Sequence, residues 1–105
     1  MLYFARLHAA YAAFAGKYGL DVIPVGTAAE RVPNRNSLFT KPDFHFNREG
    51  VYLQGLAFTA KLFGVDARKC PYRPEWMDDA RAAEIKAAVM DAAIAAGYFP
   101  PCCAQ

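Results

Sequence analysis

The stretch LDVIPV, residues 20–25, decides the fold that this sequence predicts. It is short, rich in Val and Ile, and bounded by Gly19 and Gly26, which is typical of a β-strand. Pro24 has no N–H group to give to a strand ladder, so the strand is expected at a sheet edge or at its own end. We therefore predict one clear strand over these residues.

Three helices are predicted around this strand, and their ends are visible in the sequence. They cover residues 2–18, residues 48–63 and about residues 78–96. Asn47 suits the N-cap of the middle helix, and Gly64 suits its end. Prolines and asparagines make residues 26–46 mostly irregular, apart from a helical turn or two near their start.

Apolar side chains at helical spacing predict that the helices bury one face. The first helix carries an aromatic-rich stripe formed by Leu7, Tyr11, Phe14 and Tyr18. The middle helix is apolar over a broad arc that includes Val51, Leu56, Phe58, Leu62 and Phe63. The first pattern predicts an amphipathic helix, and the second predicts a well-buried one.

A single strand presents a physical difficulty, because its backbone N–H and C=O groups have no ladder partner. The alternation of helices and strand favours an α/β fold with a parallel sheet. The partner strand would then come from a second copy, from another polypeptide, or from a missing part of the same domain. We predict one partial domain over residues 1–105, with residues 98–105 as a frayed tail.

Composition excludes several classes of protein. The chain has 105 residues, 55% of them hydrophobic and 21% charged, with a formal net charge of +2, so it is neither disordered nor strongly basic. We expect no nucleic-acid partner and no membrane association. The candidate ligands His8, His45, Asp43 and Cys70 are scattered along the sequence, so no metal site is predicted. No signal-peptide layout is recognisable, so the default expectation is a cytoplasmic protein.

Three cysteines do not form a disulfide framework. Cys70, Cys102 and Cys103 are an odd number at irregular spacing, and we expect reduced thiols without a function. Trp76 is predicted to anchor its loop by packing, with an aromatic substrate platform as the alternative.

The densest group of polar and aromatic residues is KPDFHFNREG, residues 41–50. Asp43 and His45 are two positions apart, so in extended backbone they point to the same side. The Asp43 carboxylate could hold the tautomer of His45 and leave Nε2 as a base. Spacing alone is equally typical of a loop salt bridge or of a hydrogen bond at the start of a helix.

The combined pattern resembles the C-terminal part of SGNH (GDSL-type) hydrolases. A strand of the form VIPVG is followed by a loop carrying Asp and His, and then by a helix ending in LFG. In this sequence His45, Asn47, Gly50 and the Tyr52-Leu53 pair fall in step with that pattern. The similarity covers about residues 12–97.

This resemblance implies a three-layer α/β/α fold and ester hydrolysis through a Ser–His–Asp arrangement, without a metal or an organic cofactor. It implies that His45 is the general base and that Asn47 and Gly50 are framework positions. In the family the orienting Asp lies three residues before the His, where this chain has Pro42, so Asp43 is expected to take that role. The substrate would be a small-molecule or carbohydrate ester.

The nucleophile of that family comes from an N-terminal Gly-Asp-Ser block, which this sequence does not contain. Ser37 is the only serine, and it matches no family position. We therefore expect a C-terminal segment that is inactive alone and is complemented by an N-terminal half. The alternative is a non-catalytic helical module that forms a homodimer or binds another protein.

Overall fold

The structure, a computed structural model, describes residues 2–40 and 45–99, with side chains from residue 6 onward. These residues form four α-helices, and the bounds of the first and third match the prediction. The helices are α1 (Leu2–Tyr18), α2 (Val25–Arg31), α3 (Arg48–Phe63) and α4 (Asp79–Ala95). Two short 3₁₀ turns, Arg35–Leu38 and Ala67–Lys69, lie in the connections.

The predicted strand is wrong, and with it the α/β fold. The residues that the structure describes contain no strand or sheet, only one isolated antiparallel bridge between Phe39 and Phe46. The reason lies at Pro24, whose φ of −82° and ψ of 60° form an inverse γ-turn closed by Val25 N–H on the Ile23 carbonyl (2.8 Å). The Pro24 carbonyl then accepts from Ala28 N–H at 3.0 Å, so the chain enters α2 where the strand was expected to end.

Within residues 20–24, some backbone N–H and C=O groups form hydrogen bonds with a side chain instead of with a neighbouring strand. The Tyr98 hydroxyl accepts a hydrogen bond from Val22 N–H (3.0 Å) and donates one to the Val22 carbonyl. Lys61 forms a 3.1 Å ion pair with Asp21 and lies 4.5 Å from the centre of the Tyr98 ring. A side chain from the far end of the chain thus replaces the predicted neighbouring strand.

The core lies between α2, α3 and α4. Its largest fully buried side chains are Leu38, Leu53, Ile85, Val89 and Met90. Alanines such as Ala28, Ala57 and Ala88 let these helices approach closely, since each is at most 3% exposed. The local caps hold as predicted, with Asn47 beginning α3, Gly64 ending it in a left-handed conformation (φ 65°), and Asp78 capping α4.

The predicted burial of the broad arc of α3 is wrong for most of its large side chains, and the apolar stripe of the amphipathic helix α1 is largely exposed as well. In α1, Phe14 is 60% exposed, and Tyr11 and Tyr18 are similarly exposed. In α3, Leu56 is buried, whereas Phe63 is 75% exposed and its neighbours Phe58 and Leu62 also face outward. Helical spacing indicated which residues share a face, but not whether another element covers that face.

Candidate functional site: the His45 loop and the groove beside it

His45 lies three positions before Arg48, the first residue of α3, and its backbone is tied to Thr40. Its carbonyl accepts hydrogen bonds from the Thr40 N–H group (2.7 Å) and from the Thr40 hydroxyl (3.2 Å). One step further in, the rings of Phe39 and Phe46 stack with their centres 5.1 Å apart. These contacts fix the backbone of His45 while its side chain stays exposed.

Asn47 and Gly50 fasten this loop to α3. The Asn47 side chain accepts from the N–H groups of Glu49 (2.9 Å) and Gly50 (3.2 Å) and donates to the Ser37 carbonyl (2.6 Å). A Cβ atom on Gly50 would lie only 2.6 Å from the Leu38 carbonyl oxygen and would overlap the Phe46 ring. Gly50 therefore permits a close approach of the α3 backbone to Leu38 and Phe46.

The imidazole of His45 borders a mostly apolar groove of about 430 Å³. The described residues that line this groove are Leu7, Tyr11, Ile23, Val25, Gly26, Phe39, His45, Phe46, Gln54 and Phe58. No hydrogen bond or ion pair to the imidazole is found within residues 6–40 and 45–99. A neutral imidazole placed in this way can take a proton from a hydroxyl group that approaches along the groove.

The other half of the predicted pair, Asp43, lies outside the described residues. The orienting role of Asp43 toward His45 therefore stays a prediction. Cys102 and Cys103 also lie outside them, and Cys70 is a free thiol.

Ser37 is held in a polar network that the sequence analysis did not predict. Its hydroxyl donates to Glu49 Oε1 at 3.1 Å and accepts from the Arg81 guanidinium. Arg81 also donates to Glu49 Oε1 (3.0 Å) and to the Pro33 carbonyl (2.6 Å). This network connects the 3₁₀ turn Arg35–Leu38 and α3 to α4. It gives Ser37 an acidic and a cationic neighbour rather than a histidine.

A second groove, of about 680 Å³, lies on another side of α3 and is also largely apolar. It is lined by Arg48, Val51, Tyr52, Gly55, Leu56, Thr59, Cys70, Pro71, Tyr72, Pro74 and Trp76. The Arg48 guanidinium carbon lies 4.2 Å from the centre of the Trp76 ring. Met77, only 3% exposed, anchors this loop by packing, whereas Trp76 is 42% exposed at the groove.

Two titratable groups of the described residues have shifted pKa values, Tyr52 in this second groove and Asp66 before the second 3₁₀ turn. Burial raises the pKa of Tyr52, and the nearby Cys70 and Tyr72 raise it further, while its hydroxyl donates to the Tyr72 carbonyl at 2.8 Å. Hydrogen bonds from Arg68 lower the pKa of Asp66, the residue that caps the second 3₁₀ turn. Both shifts accompany structural hydrogen bonds rather than a reactive pair.

The described residues contain neither a candidate metal site nor a candidate membrane span. There, no three His, Cys, Asp or Glu side chains are grouped so that they could hold a metal ion. No helix among these residues combines the length and the apolar character needed to cross a bilayer.

The chain matches no family model, no curated protein and no solved structure. The described residues form a small, alanine-rich α-helical unit with apolar grooves on its surface. The resemblance to SGNH hydrolases remains a prediction from the sequence pattern.

Proposed function

We propose that this chain supplies the general base, His45, of a serine ester hydrolase whose nucleophile is carried by other residues than its own serine. Nε2 of His45 would take the proton of the attacking serine and later return it to the leaving alcohol. Asp43 would orient the imidazole, and the substrate would be a small-molecule or carbohydrate ester. The proposal concerns the chemistry of the His45 loop and does not restore the predicted sheet.

The observation that carries the proposal is the exposed imidazole of His45 at the edge of the 430 Å³ groove. Its backbone is held by Thr40, and the adjoining start of α3 is fixed by Asn47 and Gly50. A general base needs a fixed backbone and an accessible nitrogen, and both are present. Glu49 and Arg81 occupy the hydroxyl of Ser37, which supports a nucleophile from elsewhere.

Reconstitution tests this proposal. The chain is coexpressed with an N-terminal segment of an SGNH esterase that carries the Gly-Asp-Ser block but ends before its own late histidine. We expect hydrolysis of p-nitrophenyl acetate by the complex, abolished by His45→Ala and unchanged by His8→Ala, the matched control at the only other histidine. The chain alone is expected to show no His45-dependent turnover, because a base without nucleophile and oxyanion donors is inadequate.

Two outcomes would contradict the proposal. One is a stable complex whose hydrolysis is equal in the two histidine variants. The other is His45-dependent turnover by the purified chain alone, which would place a nucleophile within these 105 residues.

The second candidate function is a non-catalytic helical interaction module, and the exposed apolar side chains favour it. Tyr11, Phe14 and Tyr18 on α1 and Leu62 and Phe63 on α3 are each more than half exposed. Large exposed apolar patches mark interaction surfaces in folded proteins. Light scattering after size exclusion separates the candidates, since a cooperative homodimer without reconstituted hydrolysis favours the module.

A further inference from the structure

The second groove combines an apolar, aromatic wall with a single charge. Tyr52, Tyr72 and Trp76 provide the aromatic surface, and Leu56 and Pro74 are apolar and buried at its floor. Its volume of about 680 Å³ lies in the range of small-molecule sites, roughly 300–1,000 Å³. A ligand for this groove must therefore be mostly apolar.

Most polar groups of the groove are already engaged. The Tyr52 hydroxyl donates to the Tyr72 carbonyl at 2.8 Å, and the Thr59 hydroxyl donates to the Gly55 carbonyl at 2.8 Å. Neither hydroxyl therefore has a hydrogen left to donate to an anionic ligand. Of the described residues that line the groove, Arg48 is the only one with a charge.

The guanidinium of Arg48 has hydrogen-bond donors to spare. It lies over the Trp76 ring at 4.2 Å, and no ion pair or side-chain hydrogen bond of Arg48 is found in the part of the chain that the structure describes. Arg48 is also the first residue of α3, where the helix dipole adds positive potential. The cation and the helix end therefore lie together at one end of the apolar groove.

We propose that this groove binds an amphiphilic carboxylate, with its hydrocarbon chain against the aromatic wall and its carboxylate on Arg48. A guanidinium fork pairs with a carboxylate through two parallel N–H···O bonds. Stacking on Trp76 holds the fork in place, which reduces the entropy lost on binding. The proposal is independent of the proposed hydrolase function, since His45 does not line this groove.

Trp76 is the only tryptophan of the chain, so its fluorescence reports directly on this groove. Decanoate is titrated below its micelle concentration into the full-length chain, with decanol and decyltrimethylammonium as neutral and cationic probes of equal chain length. We expect saturable fluorescence change with decanoate and at least about ten-fold weaker binding of the other two, the cost of one hydrogen bond to a charged group. Equal affinity for decanol overturns the assignment of a carboxylate.

Two matched pairs of variants locate the binding. Arg48→Gln is expected to weaken decanoate binding about ten-fold, whereas Arg31→Gln, the same change at an exposed site on α2, leaves it unaltered. Gly55→Leu is expected to abolish binding because it fills open space beside the groove, while Gly16→Leu, in equally open space on α1, does not.

Folding of each variant is checked by thermal melting. A Cβ atom at Gly55 or Gly16 meets nothing within 4 Å, so these two variants are expected to fold. Decanoate binding that survives Gly55→Leu in a folded protein overturns the proposed site. Binding that is equal in the Arg48→Gln and Arg31→Gln variants overturns the role of the guanidinium.

Discussion

Helices α4 and α1 both carry apolar residues at helical spacing, but this face is buried in α4 and exposed in α1. In α4 the apolar positions Ile85 and Val89 are at most 1% exposed, because α2 and α3 pack over them. In α1 the equally regular stripe around Phe14 contacts solvent, and of its described side chains only Ala15 is buried. Helical periodicity therefore predicts a common face, and packing partners alone decide whether that face becomes core.

The largest expected effect comes from the buried face. Ile85→Ala removes a fully buried side chain between α2, α3 and α4 and is expected to lower the free energy of unfolding by about 2–5 kcal/mol. Phe14→Ala on α1 removes a larger side chain but is expected to change the free energy of unfolding by only about 0.5 kcal/mol. Urea denaturation of both variants measures the difference, and equal losses would show that α1 is covered in solution.

A second comparison uses two glycines on α3. Gly50→Ala places a methyl group against Leu38 and Phe46 and is expected to cost about 1–3 kcal/mol. Gly55→Ala enters open space and is expected to gain about 0.5–1 kcal/mol from helix propensity. Thermal melting measures whether each variant is less or more stable than the parent chain. A Gly50→Ala variant as stable as the parent would mean that the His45 loop does not lie close to α3.

The smallest expected effect on stability comes from the carboxylate of Asp66, which caps the 3₁₀ turn Ala67–Lys69. It is compared with an exposed carboxylate on α4. Arg68 lowers the pKa of Asp66 in the folded chain, so this carboxylate stabilises the fold above its unfolded pKa of about 3.9, and the gain is lost as pH falls through the lower, folded pKa. Asp66→Asn is expected to remove about 0.5–1 kcal/mol at neutral pH and to flatten the dependence on acid.

The matched control is Asp91→Asn on the exposed side of α4. It is expected to leave both the stability and its acid dependence unchanged. Urea unfolding at pH 6 and at pH 3 measures these quantities, and an acid dependence in the Asp66 variant that matches the parent chain would contradict the assignment.

The start and end of α3 could be predicted from sequence because Asn47 and Gly64 act on neighbouring backbone groups. The strand at residues 20–25 could not be judged in the same way, since a strand exists only through a distant partner. Pro24 was interpreted as the mark of a sheet edge or of a strand end, whereas it is the central residue of a turn and the N-cap of α2.

The candidate site was predictable to a similar degree. His45 was singled out by its spacing from Asp43, and Gly50 was singled out by the family resemblance. The structure shows an exposed imidazole and a close backbone approach at these positions. The network of Ser37, Glu49 and Arg81 was not predicted, because Arg81 lies 32 positions after Glu49 and no local pattern links them. The aromatic groove was missed for the same reason.

The phenol of Tyr98 has a consequence for any assembly that this chain enters. It occupies both hydrogen-bonding groups of Val22, which are the groups that an incoming extended peptide would need. A strand that pairs with the N–H and C=O of Val22 and the contact of Tyr98 with these groups are therefore mutually exclusive. An added strand would first have to displace this aromatic side chain, so Tyr98 competes with any strand for the backbone groups of Val22.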